Sequence, residues 1–549
     1  MLKPGYVLII LPILIGGLGL AVEHLGSFYD LKNYVNGRTI PSALVHSGKG
    51  GKELRLLEYG TLTGVQLQDF ANDLQPTATP SSQILEARAR DSGLPSLSII
   101  AGAEELLDPQ SGILVNFLQR GRSWERAAYV SYFQDGELRF SSGVGLRVHG
   151  GKSREMPRKS LRLHFRELYG VPSVSSDVLF DGKALPLRSV VVHSDLRERP
   201  SGVKWHFMNP LAYELARAIG CIAPRTQPVA LYLNGDYQGL YILTEHLSPE
   251  YFQARLGHSN FVMARTKRDT EQLPATVEMG DPRLYRAFRD WAADGNVDIA
   301  ELSQRVDLEN LTNWMISILF AGVTDPFQGP IILDTSDPNA KWYWVNWDMD
   351  HAFMDVYDQA PEPWDIDIFA GPLQSKRDPR SAIFDRLTRE SPEYRAYFLN
   401  RITEVLNHIL TDDFLNERLA YYEGVSRIFG LDDTRFLSLL GEYLQNRSMV
   451  LRTQLDTYFS SGPSFKLTTS ISGEADLKID GYRVADEYRG HYFFETPVSI
   501  EISTVDDPAF TSWIINGQIS SIDTPYLTLN LAEDTHIEVV LLPESHPAQ

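Results

Sequence analysis

Apolar and polar positions change rhythm three times along the chain. Between residues 94 and 165 they alternate in short runs: Leu97 and Ile99, the tract after Gly112, residues 128–133 and 138–148. That period of two predicts strands. Residues 160–165, SLRLHF, alternate most cleanly and put Leu161, Leu163 and Phe165 on one face. A helix is predicted over 209–220, with Asn209 as its N-cap, Pro210 in the first turn and Gly220 just past the end. The next run, VALYLNGDYQGLYILTE, predicts a hairpin turning at Asn234-Gly235. From about 281 to 460 the spacing becomes mostly helical, broken by a strand pair near 330–347. After Ser460-Ser461-Gly462-Pro463 short alternating strands return (LKID, VSIEIS, LTLNL, HIEVVL) and predict a small all-β module of sandwich type.

The N-terminal part reads differently. Residues 5–22 form an 18-residue run without a charge, preceded by Lys3. No small-x-small cleavage pattern follows, so the expectation is an uncleaved membrane anchor with the bulk of the chain extracytoplasmic. Residues 76–82, PTATPSS, read as a linker.

Composition narrows the functional classes. Lys and Arg number 51 against 71 Asp and Glu, a net charge of −20, which argues against a nucleic-acid partner. One cysteine, Cys221, excludes an internal disulfide and any CxxC site. Placed just beyond a helix end, it reads as a packing residue rather than a nucleophile. HExxH, GxSxG and GxGxxG are absent from the sequence.

Three segments could carry chemistry. Residues 144–165 contain Gly150-Gly151-Lys152-Ser153, which resembles the end of a phosphate loop, but position 146 is Leu and a strand follows instead of a helix. What remains is a basic turn bearing Arg147, Lys152, Arg154, Arg158 and Lys159, either a phosphate-binding pocket or a solvated basic hairpin. Glu245, at a strand end, is weak evidence by itself. In the third segment a helix beginning at Asp307 leads to Asp325 in the loop TDPFQGP. A strand, a turn and a second strand then deliver Asp348 and Asp350 in WDMDHAF. One loop carboxylate followed by a hairpin and further carboxylates is a phosphoryl-transfer layout: the first accepts a hydroxyl proton, the second holds a metal on the phosphates. The same DxD could serve a sugar-nucleotide transferase, or could simply cap a loop.

Taken in order, these strings resemble the CotH kinase family, spore-coat-type atypical protein kinases. The series runs LPSLSI (94–99), DPQSGILVN (108–116), SWERAAYVSYF (123–133), GVGLRVHGGKSR (143–154), RKSLRLHFRELYG (158–170), LYLNGDYQGLYILTEHL (231–247) and WYWVNWDMDHAF (342–353). The resemblance spans about 94–455. It implies an α+β, divergent protein-kinase-like fold, with a β-rich N-lobe and a helical C-lobe, followed by the small all-β module. The expected organisation is a signal-anchor at 1–26, an extension and linker at 27–93, the kinase domain at 94–460 and the β module at 464–549. The implied activity is metal-dependent transfer of the ATP γ-phosphate, with Mg²⁺ or Mn²⁺, to Ser/Thr of exported or surface proteins.

By position, the resemblance gives Asp325 the catalytic role and Asp348 the metal, with Asp350 and Gln328 as further candidate ligands. It places Lys159, Arg147, Lys152 and Arg154 on the nucleotide phosphates, Glu245 near the nucleotide and Glu214 as a partner for Lys159. Kinase loops usually supply an Asn five residues after the loop Asp; here that residue is Pro330. The departure keeps open a pseudokinase acting as an envelope structural or binding protein, and the nucleotide site keeps open transfer of a nucleotidyl group.

Overall fold

The computed structural model describes residues 91–541, apart from short stretches at 195–196, 199–203, 266–275, 295–298, 354–361, 371–372, 374–377, 432–433, 473–474, 495 and 504–509. It also describes a two-residue strand pair at 46–47 and 52–53. The expected anchor at 1–26 lies outside the described residues, as does the linker at 76–82. Among the described residues no helix is long and apolar enough to cross a membrane. The architecture is mixed α+β, with a β-rich N-terminal part, a helical middle and a β-rich C-terminal region. It divides into two compact units: residues up to 210 with 224–259 and 421–436, and residues 211–223 with 260–420 and 437–549.

The first unit is built on a closed barrel. Its strands are β1 (Ser96–Ala101), β2 (Arg126–Gln134), β3 (Glu137–Val148), β4 (Leu161–His164), β5 (Ser189–His193), β6 (Thr226–Leu233) and β7 (Asp236–Glu245). Their order is β6-β7-β5-β4-β3-β2-β1, and β6 closes the ring by running parallel to β1, Ala230 opposite Ser96. Alternation explains the interior: Leu97, Val130, Leu161, Leu163, Val190 and Leu243 are all buried. The predicted hairpin is present. Leu233 pairs with Asp236, and Asn234 and Gly235 both take positive φ, 49° and 85°, as the tight turn requires. Asn234 has a second task. Its amide accepts from the Ala101 N–H at 2.8 Å and donates to the Ala101 carbonyl at 2.9 Å, fastening the turn to β1.

Two local expectations are corrected. The tract after Gly112 is a run of turns: the Asn116 N–H returns to the Gly112 carbonyl at 3.0 Å, although Ile113 and Leu114 are buried like strand residues. The helix expected from 209 is α1 (Met208–Ile219), so Asn209 lies within its first turn rather than capping it.

In the second unit, α2 (Leu308–Ala321) begins where expected, the Asp307 carboxylate accepting from the Asn310 N–H at 2.9 Å. Residues 311–321 are all buried, as a helix apolar on nearly every face must be. The hairpin after it is larger than its sequence suggested. Strands β8 (Phe261–Arg265), β9 (Thr276–Met279), β10 (Pro330–Asp334) and β11 (Tyr343–Trp344) form one sheet in the order β9-β8-β10-β11. Helices α3 (Pro379–Glu390) and α4 (Pro392–Glu404) follow. Strands between 464 and 541 form two sheets, of five and four strands, which share one buried core containing Leu467, Ile479, Tyr492, Ile500, Trp513 and Ile537.

Candidate functional site

The carboxylates singled out in the sequence sit on two loops that are laced together. Asp325 heads a short 3-10 turn, Pro326–Gln328, and the Gln328 amide donates to its Oδ2 at 2.8 Å. After β10 and β11 the chain returns beside the same loop. The Val345 N–H donates to the Pro330 carbonyl at 3.2 Å. Gly329 lies so close to this return that a Cβ there would fall 1.8 Å from the Val345 oxygen, so position 329 admits glycine alone. Thr324 and His351 tie the loops again, through Oγ1 and Nδ1 at 3.3 Å and through the Thr324 N–H and the His351 carbonyl at 3.4 Å.

The DxD turn has its own supports. Trp347 stacks on Tyr213 of α1, ring centroids 6.5 Å apart, and the Asp348 N–H donates to the Tyr213 hydroxyl at 2.9 Å. Asp348 takes φ +56°, a left-handed conformation that Asp tolerates better than most residues. Asn346, before it, is buried and donates to the Ser317 hydroxyl of α2 at 2.8 Å. Asp350 is nearly buried, with His351 Nε2 3.9 Å from its Oδ1.

Arg380 is the residue that sequence reasoning missed. Wholly buried at the start of α3, it donates to the carbonyls of Phe327 (2.8 Å) and Gly329 (3.2 Å), so it grips the Asp325 loop from behind. Asp378 neutralises it, with Nε to Oδ1 at 2.7 Å and a second bond to Oδ2 at 2.8 Å. The Asp-Pro pair at 378–379 is a legible helix start; nothing in it shows where the next side chain goes.

In the first unit most of the basic turn is used internally. Arg154 is buried and donates to four carbonyls: Gly150 (2.7 Å), Phe117 (2.7 Å), Gln119 (2.9 Å) and Val148 (2.6 Å). It therefore builds the turn. Arg147 pairs with Glu125, a buried carboxylate that also takes Arg166 at 2.8 Å. Burial acts to raise the Glu125 carboxyl, and the hydrogen bond from Arg166 and the charges around it outweigh that and hold it below the usual range. Arg158 donates to the Leu240 carbonyl at 2.6 Å. Lys159 is buried, its ammonium on the carbonyls of Arg154 (2.8 Å) and Met156 (2.6 Å) and over the Phe117 ring; desolvation pushes it down to about 8. Of the five cations only Lys152 is exposed.

Two further candidates have structural partners. Glu245 is buried against Arg225, which gives it two guanidinium bonds (3.0 and 2.7 Å) and a backbone N–H at 2.9 Å. Glu214 of α1 lies 3.9 Å from Arg418. Cys221 is buried and its thiol is pushed up to about 12 by desolvation, which suits a packing residue.

The family described as CotH kinase protein matches residues 146–452, more than half of the chain and every candidate from Arg147 to Asp350. The chain belongs to the CotH kinase family. Membership implies an atypical kinase that uses ATP. The CotH match opens inside β3, so the strings at 94–133 fall outside it even though the strands they form, β1 and β2, complete the same barrel. No curated protein matches the chain.

The CotH carboxylates offer oxygen donors only, from Asp348, Asp350 and the Gln328 amide, a set suited to a hard cation such as Mg²⁺ or Mn²⁺. Among the described residues no group of three or more His, Cys, Asp or Glu is gathered for a metal.

Proposed function

We propose that this chain is an active CotH-type atypical protein kinase, with a divergent kinase-like domain over 94–460 and the β module at 464–549 as an accessory. It transfers the ATP γ-phosphate to Ser or Thr of exported or surface proteins, and residues 5–22 anchor it in a membrane. The observation that carries this reading is the lacing of the Asp325 loop to the Asp348–Asp350 turn through Gly329, Val345, Thr324 and His351. Positioning of this kind is most of what phosphoryl transfer asks of a protein.

In the reaction the acceptor hydroxyl oxygen bonds to the γ-phosphorus and its proton passes to Asp325. The bond from that phosphorus to the β–γ bridging oxygen breaks, and ADP leaves. Asp348 and Asp350, with Gln328, would hold the divalent cation, which neutralises phosphate charge when bound.

A second reading, an impaired kinase serving as an envelope binding protein, draws on one feature. Pro330 heads β10 and has no side-chain oxygen where a second metal contact is usual. Phosphate transfer from radiolabelled ATP by the full chain, with Mg²⁺ or Mn²⁺ and a generic protein acceptor, decides between them. Incorporation that falls roughly a hundredfold or more in Asp348→Ala supports the kinase. Silence from a folded wild type that binds no nucleotide would sink it. The mass added to the product separates phosphoryl from nucleotidyl transfer.

A further inference from the structure

Pro330 raises a question of charge balance, and its neighbour across the sheet answers it. Arg265, the last residue of β8, stands opposite Pro330 in the β8–β10 register. Its guanidinium donates to the Gln328 carbonyl at 3.4 Å and lies over the Trp347 ring, 5.6 Å from the centroid. Gln328 is the residue whose amide holds Asp325, and Trp347 is the residue before Asp348. One cation is thus attached to the immediate neighbours of both functional carboxylates. Glu278 of β9 steadies it, Nε to Oε1 at 3.2 Å.

We infer that Arg265 supplies the positive charge that a second metal ion brings to kinase loops bearing Asn, so that this enzyme transfers phosphate with a single divalent cation. The inference rests on the phosphotransfer reading above. Its chemistry is sound: a guanidinium is always charged and its planar fork has five N–H donors, enough to hold Glu278, the Gln328 carbonyl and phosphate oxygens together. Placed on the transferring phosphoryl group, such a cation stabilises the charge that builds up as the bond to the leaving oxygen breaks. Pro330 then makes sense, because an Asn side chain and a second metal are not needed where a fixed cation already stands. Arg265 also differs from the cations of the basic turn in being held by the carboxylate-bearing segment itself.

The test counts metals and compares nucleotides on the full chain. With a non-hydrolysable ATP analogue bound, electron paramagnetic resonance should find one tightly held Mn²⁺ per chain; two would overturn the inference. Arg265→Gln should weaken binding of the ATP analogue roughly tenfold to hundredfold, the worth of a charge-assisted hydrogen bond, while ADP affinity stays within about twofold. Arg265→Lys, which keeps the charge, should recover part of the difference and guards against a folding defect in the Gln variant. Equal loss for both nucleotides would mark Arg265 as merely structural, and no loss for either would remove it from the site. Phosphate transfer by the wild type is scored separately: if it is present while the variants bind both nucleotides normally, the kinase reading stands and this inference alone fails.

Discussion

Arg380 holds Gly329 in place: its guanidinium reaches from the start of α3 to the Gly329 carbonyl, four residues beyond Asp325. Because the arginine and its partner Asp378 are both buried, removing one leaves an uncompensated charge. Arg380→Ala should therefore cost about 3–5 kcal/mol in urea unfolding. Phosphate transfer should fall further than the folded fraction explains, because the Asp325 loop loses two of its ties. Equal activity per folded molecule would contradict this.

Gly329→Ala makes a narrower test of the same loop. The new Cβ would strike the backbone oxygen of Val345, which cannot rotate away. We expect a loss of about 1–3 kcal/mol from the forced shift, with kcat falling and ATP affinity little changed. Stopped-flow ADP release and nucleotide titration measure the two separately.

Glu245 should behave in the opposite manner. Its carboxylate is committed to Arg225, so Glu245→Ala should destabilise the first unit by about 3–5 kcal/mol. In the fraction that stays folded, KM for ATP should not move. A raised KM at unchanged melting temperature would return Glu245 to the nucleotide.

His164 predicts a pH dependence of stability. Desolvation, reinforced by Arg147, pushes its imidazole down to about 3 from 6.5. Between those values the unfolded chain binds a proton that the folded chain refuses, so stability rises with pH across the window and is lost as pH falls below about 6.5. His164→Gln should flatten the fall in melting temperature between about pH 6.5 and 4; an unchanged profile would mean other groups dominate acid unfolding.

Lys159 titrates in a higher window. With the folded group near 8 and the ordinary value 10.5, stability should rise with pH between the two, since the unfolded chain keeps the proton longer. A phosphate brought to the ammonium would raise it again. Nucleotide binding at about pH 8.5 should therefore take up protons. Calorimetry in two buffers of different ionisation enthalpy would detect this, and Lys159→Met should abolish it.

How much of this was legible depended on distance along the chain. The Asn234-Gly235 turn, the helix start at Asp307 and the alternation of Leu161, Leu163 and Phe165 are local chemistry, and each stands where the sequence placed it. The order of Asp325, hairpin and Asp348 was legible for the same reason. Long-range partners were not. No periodicity reveals that β6 runs parallel to β1, that β8 and β9 extend the hairpin sheet, or that Arg225 takes Glu245. Composition counts charges without showing their partners: in the basic turn, Arg154 and Arg158 face carbonyls.

The closed barrel sets an order of events during synthesis. Asn234 and Ala101, which meet where the ring closes, are 133 positions apart in sequence. Until the segment 226–245 has left the ribosome, β1 and β5 each lack one neighbour, so the nascent barrel carries two open edges. Open edges recruit other strands, and pairing across so long a loop is slow. A chain released after α1 but before β6 should therefore associate with its own copies rather than remain a dispersed half-barrel, and holding such edges apart is work for a chaperone.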